Sequence, residues 1–356
     1  MVDDVRGTPE PVPGQRETPQ DQPARRPIGV RLGGLLIAVA VLGFVCILSL
    51  AVGARSIPIG TTWHVLWDND GSSAASIIHT LRIPRTLIAL MIGVALGLSG
   101  AVMQALTLNP LAEPGLLGVN LGASTGVVIA LAYFGVVTFA GYVWFAFAGA
   151  AITSVAVFML GNTGRTTNPE RQVLAGVGLT AVLGAFVYGI LALEPDVFDR
   201  YRFWDVGSFS DLSQPAGRQL VPFIVAGTLI ALGIGPALNA LAMGEETGRA
   251  LGAHVLRTRA LGMLSITLLC GAATAVAGPI WFVGLAVPHI ARIICGPDQR
   301  WILAYSMVLA PALLLAADCV GRVVAAPSEL QVGIVTAFLG APVFIWLARK
   351  RRAGES

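Results

Sequence analysis

Lysine is all but missing: of 23 basic residues, only Lys350 is not an arginine. A Gly-x-x-x-x-Gly-Lys phosphate loop needs an internal lysine, so the chain has none and is not its own ATPase. Charge is scarce altogether, 12% of residues where a soluble domain carries about 25%. Acidic residues are nearly absent from the apolar segments, and Asp318, near a segment end, is the only interior candidate. An ion-coupled carrier usually keeps intramembrane ionisable groups as its coupling device, so this scarcity argues against one. The four cysteines (Cys46, Cys270, Cys295, Cys319) fall in or at the ends of apolar runs without metal-ligand spacing. They read as small core residues, not a disulfide framework or a metal site. His289, beside Pro288, has no second ligand at helical spacing and reads as structural. No Ser/His/Asp or paired-carboxylate arrangement sits in a plausible pocket, so neither an enzyme nor a cofactor is indicated. A net charge of +3 is too small to argue for nucleic acid.

What is present is apolar. The chain is 55% hydrophobic, with a mean hydropathy of +0.76, which is the composition of a polytopic all-α membrane protein. Residues 1–31 are rich in proline and charge and are expected to form a disordered cytoplasmic tail. The run that follows, Leu32–Val52, is longer than a signal-peptide core and reads as an uncleaved first helix. Ten spans are expected, near 33–53, 85–106, 116–135, 142–161, 173–193, 219–242, 259–277, 280–295, 302–320 and 332–348. They make one permease domain over 32–350, with 351–356 as a short cytoplasmic tail. With the N-terminus inside, the inside segments hold sixteen Lys and Arg and the outside segments seven. That asymmetry follows the positive-inside rule and puts both termini in the cytoplasm, the chain being multi-pass in the cytoplasmic membrane.

Gly93, Ala95, Gly100 and Pro110 recur 178 residues later as Gly271, Ala273, Gly278 and Pro288. Under the ten-span count the two copies run in opposite directions, as in an inverted repeat. The 42 glycines, many in small-xxx-small spacing, let helix backbones approach closely.

The stretch Leu81–Val119, LRIPRTLIALMIGVALGLSGAVMQALTLNPLAEPGLLGV, resembles the FecCD-type permeases, membrane subunits of ABC importers for iron-siderophores, haem and cobalamin. So do Ala277–Arg292, Ala316–Asp318 and Glu329–Phe344, and the resemblance covers roughly 32–350. It implies a ten-span protomer paired with a second, identical or homologous permease chain in the lipid bilayer. It implies separate ABC ATPase subunits and an extracytoplasmic substrate-binding protein as further partners. Iron-siderophore is the first choice of cargo as the commonest one the family implies, with haem and cobalamin next. A stand-alone carrier or a non-transporting scaffold are the rival readings.

Three sets of site residues follow from the resemblance. The loop 243–256 is similar to the family's coupling loop, with Glu245, Glu246 and Arg249 as ATPase-facing residues and Leu251 and Gly252 closing it. Arg82, Arg85 and Arg322 match arginines that receive acidic residues of the binding protein, and they are expected to form a positive outer rim. Asp318 is expected to pair with Arg322. Thr167, Asn168, Pro169 and Glu170 fall at the implied inner gate, where relatives often carry small hydroxyl residues instead.

Overall fold

A computed structural model describes residues 27–353, apart from 54–56, 69, 162–168, 210–213, 251, 253 and 327. All but a few residues of the expected N-terminal tail therefore lie outside the described residues. Among those described there is no strand. The helices are α1 (Ile28–Ala51), α2 (Ile59–Trp67), α3 (Ser73–Ser76), a π-helical turn (Ile77–Arg82) and α4 (Ile83–Thr107). Next come α5 (Val119–Tyr133), α6 (Phe139–Gly161), α7 (Pro169–Leu193), α8 (Pro195–Asp205), α9 (Gln214–Gly233) and α10 (Gly235–Leu241). The chain ends with α11 (Glu245–Ala250), α12 (Val255–Ala277), α13 (Val283–Cys295), α14 (Gln299–Val324) and α15 (Val332–Ala353). Helix α15 thus continues three residues into the segment expected as a tail.

Six helices are long and apolar enough to cross a membrane, and α9–α10 form a seventh span bent by 49°. Three shorter apolar helices, in α5, α13 and the first part of α15, bring the number to the ten expected. The 15 residues of α5 and 13 of α13 rise only about 22 and 20 Å at 1.5 Å per residue, against a hydrocarbon core of about 30 Å. Each must therefore begin inside the bundle, and the backbone leading into each must be satisfied by protein.

Helices α4, α12 and α14 form the core. The apolar windows of α4 and α12 are 78% buried and that of α14 67%, whereas α7 is 17% buried. An apolar helix so bare needs lipid or another protein chain against it. The core packs by glycine: a side chain at Gly93 would strike the backbone of Pro311, and one at Gly100 the backbone of Gly284. Close backbone approach replaces the hydrophobic force that lipid cannot supply.

The N-terminal end of α4 meets the C-terminal end of α14, and the N-terminal end of α12 meets α11 at the opposite end of the bundle. Hence α4 and α12 run antiparallel, as the inverted repeat requires. The expected register is not kept in the fold, because Pro110 lies in a turn beyond α4 while Pro288 sits inside α13. An offset of 169 fits better. It aligns Pro110 with Pro279, Gly115 with Gly284 and Leu116 with Leu285, so each long core helix is followed by a proline break and then a short helix.

Replacing Gly100 by valine should separate α4 from α13. The expected loss is about 1–3 kcal/mol or more of stability, as for an overpacked core, read as a lower unfolding midpoint in detergent; an unchanged midpoint would refute this contact.

Candidate functional site

Helix α1 ends inside the bundle, so its last carbonyls have no intrahelical partner and no water. Two arginines reach them. Arg82 Nη1 donates to the carbonyls of Leu50 (2.6 Å) and Ala51 (2.8 Å). Arg322 Nη1 donates to those of Ser49 (3.0 Å) and Val52 (2.9 Å), and its Nη2 to Ser49 Oγ (2.9 Å). Two cations at a helix C-terminus also oppose its negative dipole end. Ser49 Oγ in turn lies 3.0 Å from Thr86 Oγ1 of α4.

Two carboxylates, from α14 and the turn after it, face this positive charge. Arg85 binds Asp318 through two donors, Nε at 3.1 Å and Nη2 at 2.6 Å, and reaches Glu329 with Nη1 at 2.7 Å. Asp318 also pairs with Arg322 at 3.1 Å. The expected Asp318–Arg322 pair is present, but Arg85 makes the bidentate contact. The expected outer rim of exposed arginines is not what these side chains form, since Arg82 and Arg322 are only 6% and 2% exposed. The physical reason is the end of α1: its carbonyls draw both guanidinium groups inward. Sequence spacing gave no sign of this, because the acceptors lie more than 30 residues away from Arg82 and 270 from Arg322.

A second polar cluster closes the opposite end. Asp298 caps α14 by accepting from Arg300 N (3.1 Å) and takes Asn239 Nδ2 at 2.8 Å, while Asn239 Oδ1 accepts from Gln299 N at 2.7 Å. Arg31, near the start of α1, lies 3.5 Å from Asp298, and its carbonyl accepts from Tyr305 Oη at 2.6 Å. These contacts tie α10 to α14 and α1. Glu245 opens α11 and bridges to buried Arg259 of α12, with Arg249 of its own helix at 3.5 Å. Glu246 and Arg249 are exposed, as is Gly252, whose φ of +84° suits glycine. Leu251 lies outside the described residues. So do Thr167 and Asn168; Pro169 and Glu170 form the first residues of α7, where a proline's fixed φ fits.

The middle of the bundle holds a buried carboxylate between two proline breaks. Glu113 is 8% exposed, and its Oε1 accepts the backbone N–H of Phe282 at 2.6 Å. Phe282 has φ +69° and leads into α13, with its ring against Gly340, eight residues inside α15. Glu113 therefore joins the two proline breaks and satisfies backbone at membrane depth. The readable signal was one acid between Pro110 and Pro114 in an otherwise uncharged stretch. Nearby, Gln104 Nε2 donates to the Leu285 carbonyl (3.0 Å), and Thr274 Oγ1 donates to Asn120 Oδ1 (3.1 Å). Among the described residues no three His, Cys, Asp or Glu side chains gather as a metal site.

The described residues form a helical bundle with broken apolar spans and charge clusters at both ends, the architecture of a polytopic membrane protein. Residues 41–350 match the model of the FecCD transport family, and the chain belongs to that family. It is 45% identical over 325 residues to the Escherichia coli ferric enterobactin transport system permease protein FepD, covering 89% of this chain and 97% of that one. It is 39% identical to the Bacillus subtilis Fe(3+)-citrate import system permease protein YfmD, covering 92% and 98%. Among solved structures it resembles an inward-facing metal-chelate type ABC transporter, at a TM-score of 0.78 and 26% identity over 90% of this chain and 99% of that one. The chain is a transmembrane ABC-type permease subunit and not an enzyme.

Arg85→Met leaves Asp318, 1% exposed, with one cation fewer. Breaking such a buried pair costs about 3–5 kcal/mol, whereas Glu329→Gln at a partly exposed position should cost about 1 kcal/mol or less. Denaturant unfolding of both variants in detergent checks the order; equal losses would contradict the network described.

Proposed function

We propose that the chain is the permease subunit of an ATP-driven importer that carries an iron-siderophore complex across the cytoplasmic membrane. The observation that carries the cargo is the 45% identity, over nearly all of both chains, to a permease named for ferric enterobactin. Haem and cobalamin are the second reading, because permeases named for haemin and cobalamin import are 35% identical to the chain.

In this reading the protomer pairs with a second permease chain, and the bare α7 supports such a contact. Separate ATPase subunits dock on the loop 243–256, where exposed Glu246 and Arg249 are available to them. Both termini are cytoplasmic on this orientation, so the arginine cluster faces outward. A substrate-binding protein docks at this end, its acidic residues competing with partly exposed Glu329 for Arg85, while buried Arg82 and Arg322 hold the end of α1 beneath. Thr167, Asn168, Pro169 and Glu170 form the inner gate. Nothing is changed chemically in the cargo; the work done is a switch between outward- and inward-open states.

Arg259 gives the coupling loop its grip on the core. A push on α11 reaches α12 directly through the Glu245–Arg259 bridge. Glu245→Arg should therefore abolish ATP-driven uptake of ferric siderophore in proteoliposomes carrying the whole transporter. Glu245→Arg combined with Arg259→Glu should restore part of it. Uptake unaffected by the single change would remove this loop from the coupling path. In a deletion strain grown without free iron, loss of uptake of one ferric siderophore, restored by the gene, is the expected result. Failure confined to haem- or cobalamin-dependent growth would overturn the cargo and leave the coupling assignment standing.

A further inference from the structure

We propose that the groove between α4 and the start of α9, at the arginine-cluster end, binds an anionic phospholipid with a hydroxyl-bearing headgroup, phosphatidylglycerol being the simplest. The groove encloses about 370 Å³. Two basic side chains, His79 and Arg218, stand at one end of it, and Pro84, Leu87, Met91 and Val221 continue down its wall. Among the described lining residues none is acidic. Polar cation above and apolar wall below is the pattern of a lipid: phosphate on Arg218, acyl chain along the helices.

The depth of the groove is fixed by α2. His79 Nε2 is 2.9 Å from the carbonyl of Val65, which seats α2 against the π-helical turn. Trp63 and Trp67 of α2 are 57% and 75% exposed, with ring centroids 5.9 Å apart. Tryptophans so exposed beside apolar spans belong at the headgroup level, and His79 therefore lies at that level too. With Nε2 on the carbonyl, Nδ1 remains to accept from a glycerol hydroxyl. Below it, Leu87 is 55% exposed on a span whose apolar window is 78% buried. Such a residue faces hydrocarbon.

The π-helical turn makes the arrangement possible. Its extra residue per turn points Arg82 into the bundle, onto the end of α1, while leaving His79 at the mouth of the groove. Widened turns of this kind gather at functional sites. An occupied groove would brace the turn from outside, next to the arginine cluster that it positions.

Native mass spectrometry of the purified full chain tests this, with deuterated phosphatidylglycerol or phosphatidylcholine added to the delipidated protein. Wild type should retain phosphatidylglycerol in preference to phosphatidylcholine. Arg218→Ala should weaken phosphatidylglycerol by about fivefold, the worth of one cation at an anionic headgroup. Leu87→Trp, which fills the groove, should displace both lipids, while Ile152→Trp on the bare face of α6 should leave retention unchanged. Both α4 and α9 changes fall on exposed side chains, and an unchanged unfolding midpoint identifies folded variants. Equal retention of the two lipids by wild type, or retention insensitive to both groove variants, would overturn the proposal. So would competition by glycerol phosphate as strong as by the intact lipid, since the wall would then play no part.

Discussion

The end of α1 is the constraint on which the arginine-cluster end depends. A helix that stops within a membrane bundle exposes carbonyls to a medium that offers no hydrogen bonds, and each costs several kcal/mol if left alone. Arg82 from the π-helical turn and Arg322 from α14 supply four donor contacts to four successive residues, Ser49 to Val52. Two buried cations there call for anions, and buried Asp318 and partly exposed Glu329 provide them, with Arg85 binding both. Helices α1, α4 and α14 are thus fixed to one another by a single network of three arginines and two carboxylates. The glycine contacts of Gly93 and Gly97 along α4 then carry that alignment down toward the opposite end.

Much of this was legible in the sequence, and for a simple reason. Hydropathy reports the solvent around a helix, and a bilayer is a sharp solvent; the six long spans, the bent pair and the three shorter apolar helices lie where the apolar runs are. The motif residues also brought the family into view before any coordinates. What escaped was whatever depends on long-range partners. Arg82 and Arg322 look like part of a positive outer rim until the carbonyls of α1 are seen beside them. Glu113 looks like part of a proline turn until that turn is found folded back into the bundle against Phe282. The repeat was sensed, but aligned on abundant glycines and alanines; the proline breaks, rarer and structurally compelled, give the alignment that the helices obey.

The two ends of the bundle serve different demands. At the arginine-cluster end, most of the charge is buried and hydrogen-bonded to carboxylates and carbonyls, which specifies one arrangement of helix ends at the expense of desolvation. At the loop end, Glu246 and Arg249 remain exposed while Glu245 is anchored to buried Arg259. Helix α11 thus has one face tied to the core and the other open to solvent. Gly248 lets α11 fold against α10, where a Cβ would sit 3.1 Å from the Ala240 carbonyl.

Helix α12 links these ends mechanically. Its first turns hold the loop through Arg259, and its last residue, Ala277, accepts a hydrogen bond from Ser208 N at 2.9 Å. Gly278, the C-cap, has φ +73° and lies so close to the Trp204 carbonyl that no side chain would fit. Gly207, one residue before Ser208, accepts from Gly333 N at 3.1 Å, near the start of α15. A shift of α12 along its axis therefore cannot leave α8 and α15 where they are, because backbone rests on backbone with no flexible side chain between to absorb the motion. Packed interfaces of this kind respond by moving as units between alternative arrangements. The chain thus pairs a well-packed core helix, α12, with two lightly buried neighbours, α7 and α8, so that any axial displacement of the first is passed on through backbone contacts.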